Sequence, residues 1–177
     1  LLHRPLIAPP APGAARSGGA NEVVDLRDEL ERLALIWRAA AVDCGRQLDF
    51  VWRGPESGVQ TRCSRKGFAE VLTNLLSNAL RHGEGTIELS AQLRCDSLRI
   101  EISDSGPGLP GPLSGVLRRP SRREHGHGLS IARASARAIG GELSAAPSSQ
   151  GARFVFTLPA VHNSSRAALA PLGRGER

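Results

Sequence analysis

Hydrophobic residues recur at helical spacing in three parts of the chain. Leucines repeating from Leu26 onward predict a helix from about Asp25 to Asp43. The stretch EVLTNLLSNALRHG at 70–83 predicts a second helix, with leucines on one face and polar residues on the other. Residues 129–139 predict a third helix, which the two glycines that follow it close.

Most of the other segments alternate between apolar and polar residues, which predicts strands. These segments are VVDL, LDFVW, VQTRC, TIELSAQL, SLRIEIS, ELSAAP and ARFVFTLP. LDFVW and VQTRC flank the turn-forming GPESG and predict a hairpin, and the last two strands predict another hairpin around SSQG. Helices combined with mostly hairpin-connected strands predict an α+β two-layer sandwich, in which helices cover one face of a mixed, mostly antiparallel sheet.

One folded domain is expected between two ends that lack periodicity. Residues 1–21 are rich in proline, glycine and alanine and predict a flexible linker, while 161–177 predict a disordered tail. The domain itself is expected to span 22–160. Inside it, the segment from Leu109 to His125 carries proline, glycine and arginine without a sustained period. Loops of that length in a compact domain are usually functional.

Composition narrows the class of protein. The net charge is +6, but aromatic residues make up only 3% of the chain and tyrosine is absent, which argues against a nucleic-acid-binding surface. Cys44, Cys63 and Cys95 are scattered and form no C-x-x-C pair, so we expect neither disulfides nor zinc, but buried small side chains. No apolar run reaches the ~20 residues that a membrane span needs. We therefore expect a cytoplasmic chain without membrane contact of its own.

The polar face of the second predicted helix has an unusual composition. Glu70, Asn74 and Asn78 lie four residues apart and share this face with Arg81. A solvated helix face normally uses Lys, Glu, Gln or Arg, because asparagine is a poor helix former. Two asparagines in register therefore indicate a ligand, although an ordinary polar face is the alternative when this helix is taken alone.

Glycine-rich stretches follow at 106–111 and 125–130. GPGLPG matches G-x-G-x-x-G, but its prolines prevent the helix that a dinucleotide-binding motif requires. Asp104 ends a strand, and its carboxylate can accept a hydrogen bond from an exocyclic amine such as adenine N6. Gly126 and Gly128 can approach phosphate at a helix N-terminus. Asn78 can offer a neutral oxygen to Mg²⁺.

These elements together resemble the ATP-binding domain of sensor histidine kinases. The pattern E-x-x-x-N-x-x-x-N-A at 70–79 resembles the N box of that family, DSGPG at 104–108 its first glycine box and GHGLSI at 126–131 its second. Gly151 resembles the last glycine element. The resemblance covers about residues 22–159 and implies the Bergerat ATP-binding sandwich, which gyrase-type, chaperone and mismatch-repair ATPases share.

The resemblance also implies a set of cofactor-binding residues. They are Asn74, Asn78, Arg81, His82, Asp104, Gly106, Gly108, Gly126, His127, Gly128 and Leu129. Among them, Asn78 would bind Mg²⁺, Asp104 would recognise adenine and His82 would flank the base. Asn74 and Arg81 would lie near the phosphates, and the glycines would shape a mobile lid. In that lid the chain departs from the family, because it has Val116 and Leu117 where many relatives have a phenylalanine.

The function that the resemblance implies is transfer of the γ-phosphoryl group of Mg-ATP to a histidine, with Asn78 and Glu70 as candidate catalytic residues. Some relatives place a water-activating base at the position of Glu70. Because a histidine acceptor needs no activated water, we assign Glu70 no more than a polarising role. Two alternatives stay open: a nucleotide-binding regulatory module that transfers no phosphate, and an anti-sigma-type serine kinase on the same fold.

The accepting histidine is expected outside this chain. In the family it is followed directly by an acidic residue, and none of the five histidines here fits that rule. The expected partner is therefore a histidine-containing dimerisation domain, in the same longer protein or in a separate subunit. A response regulator would be served indirectly.

Overall fold

The computed structural model describes residues 22–109, 128–148 and 151–163. In these residues the helices are α1 (Leu26–Asp43), α2 (Arg65–His82) and α3 (Gly128–Ala138). The strands are β1 (Glu22–Asp25), β2 (Leu48–Arg53), β3 (Val59–Cys63), β4 (Ile87–Arg94), β5 (Ser97–Ser103), β6 (Glu142–Ala145), β7 (Arg153–Pro159) and β8 (Val161–His162). All three predicted helices are confirmed.

The strands form two sheets. The larger sheet has the order β2-β4-β5-β7-β6, in which β2 is parallel to β4 and the other pairs are antiparallel. The smaller sheet has the order β1-β3-β8 and is antiparallel. Along β5, Leu98, Ile100 and Ile102 are buried while the residues between them are half-buried, as expected for a sheet that is covered on one face. The mixed, mostly antiparallel α+β architecture is confirmed.

Two details of the predicted organisation are wrong. β2 and β3 form no hairpin, because β2 pairs with β4 whereas β3 pairs with β1 and β8. The partner of β2 arrives only after the chain has passed through α2, and local alternation carries no information about such a crossover. The predicted tail also begins too early, since Val161–His162 form β8 and Asn163 donates its N–H to the Gly58 carbonyl at 2.8 Å. The residues before 22 and after 163 lie outside the described part.

The helix ends follow from their sequences. The Asp25 carboxylate caps α1 by accepting the Asp28 N–H at 3.4 Å, and the Ser64 hydroxyl caps α2 by accepting the Gly67 N–H at 3.2 Å. After α3, Gly140 adopts φ +78°, and Gly141 donates its N–H to the Ala136 carbonyl at 2.8 Å. The predicted closure of α3 by glycines is confirmed.

α2 is packed between the large sheet and α3. Its apolar face is fully buried, with exposures of 1% or less at Phe68, Leu72, Leu75, Leu76 and Ala79. α3 contributes small residues to the contact, because Ala132 and Ala136 are both 0% exposed. A Cβ atom at Gly67 of α2 would lie 2.7 Å from Ile139 Cγ2, just beyond α3. This close packing brings α3 beside the polar face of α2.

A buried carboxylate ties α1 to the start of α2. Glu29 is 1% exposed, and its Oε2 accepts a hydrogen bond from Arg65 Nη1 at 2.8 Å. Arg32 donates to Oε1 of the same carboxylate at 2.5 Å, and this bond raises the pKa of Arg32 above its ordinary value. Because a buried charge is tolerated only when it is paired, the cluster fixes where α2 begins.

The helices in the described residues are each too short or too polar to cross a membrane. The cytoplasmic location stays a prediction. The cysteines differ in exposure: Cys63 is buried, and burial raises the pKa of its thiol to about 11, whereas Cys44 is half-buried and Cys95 is exposed. The expectation of three buried cysteines is therefore confirmed for Cys63, and it is wrong for the half-buried Cys44 and for Cys95, which lies in the tight turn between β4 and β5.

Replacing Cys95 by glycine should stabilise the fold. Cys95 has φ +48°, a backbone conformation that costs a residue with a Cβ atom roughly 1–2 kcal/mol. Glycine escapes this cost but loses roughly 0.5–1 kcal/mol of chain entropy on folding. We expect Cys95→Gly to raise the free energy of unfolding by up to about 1 kcal/mol, measured as a higher urea midpoint at an unchanged slope. Cys95→Ala retains the Cβ atom and serves as the control; equal midpoints for the two variants would contradict the assignment of strain.

Candidate functional site

The polar face of α2 carries the predicted N-box residues. Asn74 and Asn78 are half-buried, while Glu70, Arg81 and His82 are exposed. All five lie on the side of the helix away from its fully buried residues or at its C-terminal end. The structure therefore places these candidate residues along one continuous surface.

Residues of α3 contact Glu70 and Asn74, which lie at the N-terminal end of this surface. Asn74 Nδ2 donates to the Glu70 carbonyl at 2.8 Å, and a Cβ atom at Gly128 would lie 3.3 Å from Asn74 Oδ1. Further along α3, the Ser135 hydroxyl donates to Glu70 Oε2 at 2.5 Å. The N-terminus of α3 thus lies against Asn74, and its first turn carries no acidic residue that would neutralise the positive end of the helix dipole.

Asp104 lies at the other end of the surface, directly after β5. It is 7% exposed, and its Oδ1 accepts the N–H of Gly106 at 2.8 Å and that of Ala152 at 3.4 Å. Within the described residues, its Oδ2 accepts no hydrogen bond. One oxygen of this carboxylate therefore orients the group, and the other is available to an external donor.

Glycines surround Asp104 because the backbone approaches it from several sides. A Cβ atom at Gly83, the residue after α2, would collide with the Asp104 side chain, and one at Gly151 would collide with the Asp104 carbonyl. A Cβ atom at Gly106 would lie 2.7 Å from Gly83 Cα. Gly108 adopts φ +75°, which favours glycine, and lies against the Gly151 carbonyl. The first and the last glycine elements of the sequence thus meet at one carboxylate.

The two ends of the site are connected by α2. From Asn74 to Gly83 the helix rises about 13 Å, at 1.5 Å per residue. Asn78 and His82 lie between the two ends. A ligand that occupies both ends would present a hydrogen-bond donor to Asp104 and an anionic group to the N-terminus of α3. A nucleotide with an exocyclic amine has this distribution of groups.

A divalent cation would depend on few protein ligands here. Across 22–109, 128–148 and 151–163, no three His, Cys, Asp or Glu residues come together in a way that could hold a metal ion. The half-buried Asn78 side chain forms no hydrogen bond with the rest of the described chain. Mg²⁺ typically takes one or two protein oxygens and completes its shell with water and phosphate oxygens. The Asn78 amide fits that requirement.

Some predicted residues lie outside the described part, and some contacts were not predicted. Gly126, His127 and the lid segment beyond Leu109 are not described, and Leu129 is half-buried against the core. Gly83 and Ser135 contact the site residues but were not among the predicted ones. A glycine directly after a helix is a recognisable stop signal. The contact of Ser135 with α2 arises from helix packing and has no local signature.

The chain matches the family described as "Histidine kinase-, DNA gyrase B-, and HSP90-like ATPase" over residues 63–162. This match covers more than half of the chain, and the protein belongs to that family. The matched region includes α2, β5 with the Asp104 that follows it, and α3, so the residues described above lie within the matched domain.

Individual relatives agree with this membership. The signal transduction histidine-protein kinase AfsQ2 of Streptomyces coelicolor is 31% identical over 151 residues, which are 80% of this chain and 27% of that protein. The chain thus spans less than a third of this relative. The structure of full-length ShkA in complex with AMPPNP superimposes with a TM-score of 0.70 at 22% identity, over 86% of this chain and 34% of ShkA. The catalytic domain of histidine kinase ThkA superimposes with a TM-score of 0.66 at 19% identity, over 78% of this chain and 95% of the ThkA domain. The histidine-kinase catalytic-domain fold is confirmed.

Adding a methyl group at Gly83 should weaken ATP binding. A Cβ atom there would lie 2.6 Å from the Ala79 carbonyl oxygen and 2.7 Å from Asp104 Cβ, so the Asp104 carboxylate must move. We expect Gly83→Ala to lower ATP affinity at least tenfold, as the loss of one charge-assisted hydrogen bond would. Titration calorimetry measures the affinity.

Gly140→Ala is the control for general destabilisation. Gly140, just beyond α3, has φ +78°, and no atom outside its chain neighbours lies within 4 Å of the position that an alanine Cβ would take, so the substitution strains only the backbone, by about 1–2 kcal/mol, at the end of α3 opposite to the one that lies against Asn74. It should lower the unfolding midpoint and leave ATP affinity unchanged. Wild-type ATP affinity in Gly83→Ala would show that the Asp104 contact does not matter for binding.

Proposed function

We propose that this chain is the ATP-binding catalytic domain of a sensor histidine kinase, which binds Mg-ATP and transfers its γ-phosphoryl group to a histidine. The observation that carries the proposal is the arrangement along α2. Asp104 has one oxygen held and one open at one end, and the N-terminus of α3 lies against Asn74 at the other. Family membership and the name of AfsQ2 support the histidine-kinase assignment. The AMPPNP complex of ShkA supports ATP as the nucleotide.

The domain runs from residue 22 to about 163, with β8 completing its small sheet. The match to 95% of the ThkA catalytic domain supports a unit of this extent. The histidine that accepts the phosphoryl group lies on a helical dimerisation domain, in the same polypeptide or in another. The phosphorylated histidine then serves a response regulator.

Asp104 recognises the base. Its Oδ2 accepts a hydrogen bond from the exocyclic amine of adenine, while the Gly106 and Ala152 N–H groups hold Oδ1 and fix the plane of the carboxylate. Guanine carries a carbonyl oxygen at the equivalent ring position, so two acceptors would face each other and the site would lose affinity. His82, exposed at the end of α2, flanks the base.

The phosphates lie toward α3. The N–H groups of its first turn, at Gly128 and Leu129, face an anion favourably because they have no partner within the helix. Asn74 and Arg81 line the same side, and the resemblance to the histidine kinases assigns Gly126 and His127 of the second glycine box to phosphate binding as well. Asn78 would hold Mg²⁺, which when bound supplies neutralisation of phosphate charge.

The chemistry is a phosphoryl transfer between ATP and an imidazole. A ring nitrogen of the acceptor forms a bond to the γ-phosphorus, and the bond to the β,γ-bridging oxygen breaks, so that ADP leaves with the electron pair. Catalysis comes mainly from positioning and charge neutralisation, because the protein has little covalent chemistry to perform. Glu70 polarises the acceptor by accepting a hydrogen bond from its other ring nitrogen, and Ser135 holds the carboxylate for this purpose.

Nucleotide selectivity tests the role of Asp104. Calorimetry should show Mg²⁺-dependent binding of ATP and much weaker binding of GTP. Asp104→Asn should cost about 1.5–3 kcal/mol, or roughly tenfold or more in ATP affinity, because a charge-assisted hydrogen bond is lost. Asp49→Asn makes the same chemical change at an exposed position of β2 and should have no effect. Equal affinity for ATP and GTP, or an unchanged Asp104→Asn variant, would show that adenine is not read by this carboxylate.

Phosphotransfer to a separate domain tests the activity. Incubated alone with Mg-ATP, the chain should not acquire stable acid-labile phosphate. Addition of a helical dimerisation domain with its histidine should yield acid-labile, base-stable phosphohistidine that Asn78→Ala abolishes. ATP binding without transfer to any such domain would favour the regulatory module, and acid-stable phosphoserine on a protein partner would favour the serine kinase. Strong self-phosphorylation of the chain alone would contradict the proposal.

A further inference from the structure

Arg46 lies in the short connection between α1 and β2, remote in sequence from every candidate site residue. Its guanidinium group donates hydrogen bonds to several backbone carbonyls at and beyond the end of α2. The acceptors are Ala79 at 2.7 Å, Leu80 at 3.2 Å, Gly83 at 3.1 Å, Glu84 at 3.0 Å and Gly85 at 2.8 Å. Nothing in the sequence pattern singles out this arginine.

The end of α2 favours a cationic donor for a physical reason. The last carbonyls of a helix have no partner within the helix and form the negative end of its dipole. Arg46 Nη1 bonds Ala79, Leu80 and Gly83, while Nε and Nη2 bond Gly85 and Glu84. The planar guanidinium therefore closes α2 and also sets the path of the three residues that follow it.

The same three residues form one wall around Asp104. The Glu84 carbonyl accepts both Arg46 Nη2 at 3.0 Å and the N–H of Ser105 at 2.9 Å, so a single oxygen links Arg46 to the residue after Asp104. Gly83, whose carbonyl also accepts a hydrogen bond from Arg46, lies so close to Asp104 that a Cβ atom on Gly83 would be 2.7 Å from Asp104 Cβ. The position of the Asp104 carboxylate thus depends on a segment that Arg46 holds.

We propose that Arg46 is a positioning residue for base recognition: through the backbone of Gly83 and Glu84 it fixes the Asp104 carboxylate and so sets the preference for ATP over GTP. Arg46 acts without touching the nucleotide. The inference rests on the proposed function in one respect, namely that Asp104 reads adenine. Lysine cannot replace Arg46, because its single ammonium group cannot reach all the carbonyls that lie around the planar guanidinium group.

Arg46→Lys retains the charge and tests the geometry. We expect ATP affinity to fall about tenfold, while GTP affinity changes little, because only ATP uses the Asp104 hydrogen bond. Arg27→Lys is the matched control, since Arg27 Nη1 also donates to a backbone carbonyl, that of Glu56 at 2.8 Å, far from Asp104 in the chain. It should leave the ratio of ATP to GTP affinity unchanged. A wild-type ratio in Arg46→Lys would overturn the inference.

A double-mutant cycle separates positioning from general stabilisation. If Arg46 acts through Asp104, Arg46→Lys should lower ATP affinity by less than about threefold in the Asp104→Asn background, compared with about tenfold in the wild type. The full tenfold loss in both backgrounds would overturn the inference, because a merely structural arginine would act independently of Asp104. A wild-type chain that binds ATP without preference over GTP would instead show that Asp104 does not read adenine, which is the part of the proposed function on which the inference rests.

A measurement on the unsubstituted chain covers the case in which the Arg46 variants do not fold. The Nε–H of Arg46 bonds the Gly85 carbonyl and gives its own NMR resonance. Addition of saturating ADP should shift this resonance in the wild type and shift it less in saturated Asp104→Asn. If ADP does not shift the Nε–H resonance in the wild type, Arg46 is not coupled to base binding and the inference is overturned.

Discussion

The crowding of backbone around Asp104 is the constraint on which the site depends. Gly83 at the end of α2 and Gly151 before β7 both lie so close that a methyl group on either would collide with Asp104. Three separate parts of the chain therefore meet at one buried carboxylate, and the two that approach it must lack a side chain to do so. This requirement explains why glycines accumulate where the resemblance to the histidine kinases is strongest, independently of any role in a mobile lid.

α2 holds the other site residues in place relative to Asp104, because the position of this helix is fixed at both ends. At its start, Arg65 pairs with the buried Glu29 carboxylate of α1. At its end, Arg46 holds its terminal carbonyls. Between these points the apolar face of the helix is fully buried, so neither rotation nor sliding is available without exposing core residues. The polar face, including Asn78, is consequently presented in one orientation.

Local sequence pattern predicted the helices, most strands and the polar face of α2, because each depends on periodicity within one segment. Local sequence pattern did not predict the pairing of β2 with β4. Parallel strands are joined by a crossover, and their residues alternate between apolar and polar in the same way as those of hairpin strands. The contacts of Ser135 and Arg46 were not predicted either. Both depend on which surfaces meet after packing, and a serine on a helix or an arginine in a loop looks ordinary in sequence.

Within the described part of the chain, the two carboxylates of the site, Asp104 and Glu70, are each held through one oxygen only. Asp104 is held through Oδ1 by backbone N–H groups, and Glu70 is held through Oε2 by the Ser135 hydroxyl. In each case the second oxygen accepts no hydrogen bond from the described residues. A carboxylate that is held on one side loses little conformational entropy when a ligand bonds the other side, because its orientation is already set. The donors differ in a way that suits the proposed roles: the rigid backbone of the Gly106 turn orients the group that reads the base, whereas a side chain of α3 orients the group that faces the acceptor. Any displacement of α3 would therefore move the hydroxyl that holds Glu70 while leaving the hydrogen bonds to Asp104 Oδ1 in place, so that the two carboxylates are oriented by different elements of the fold.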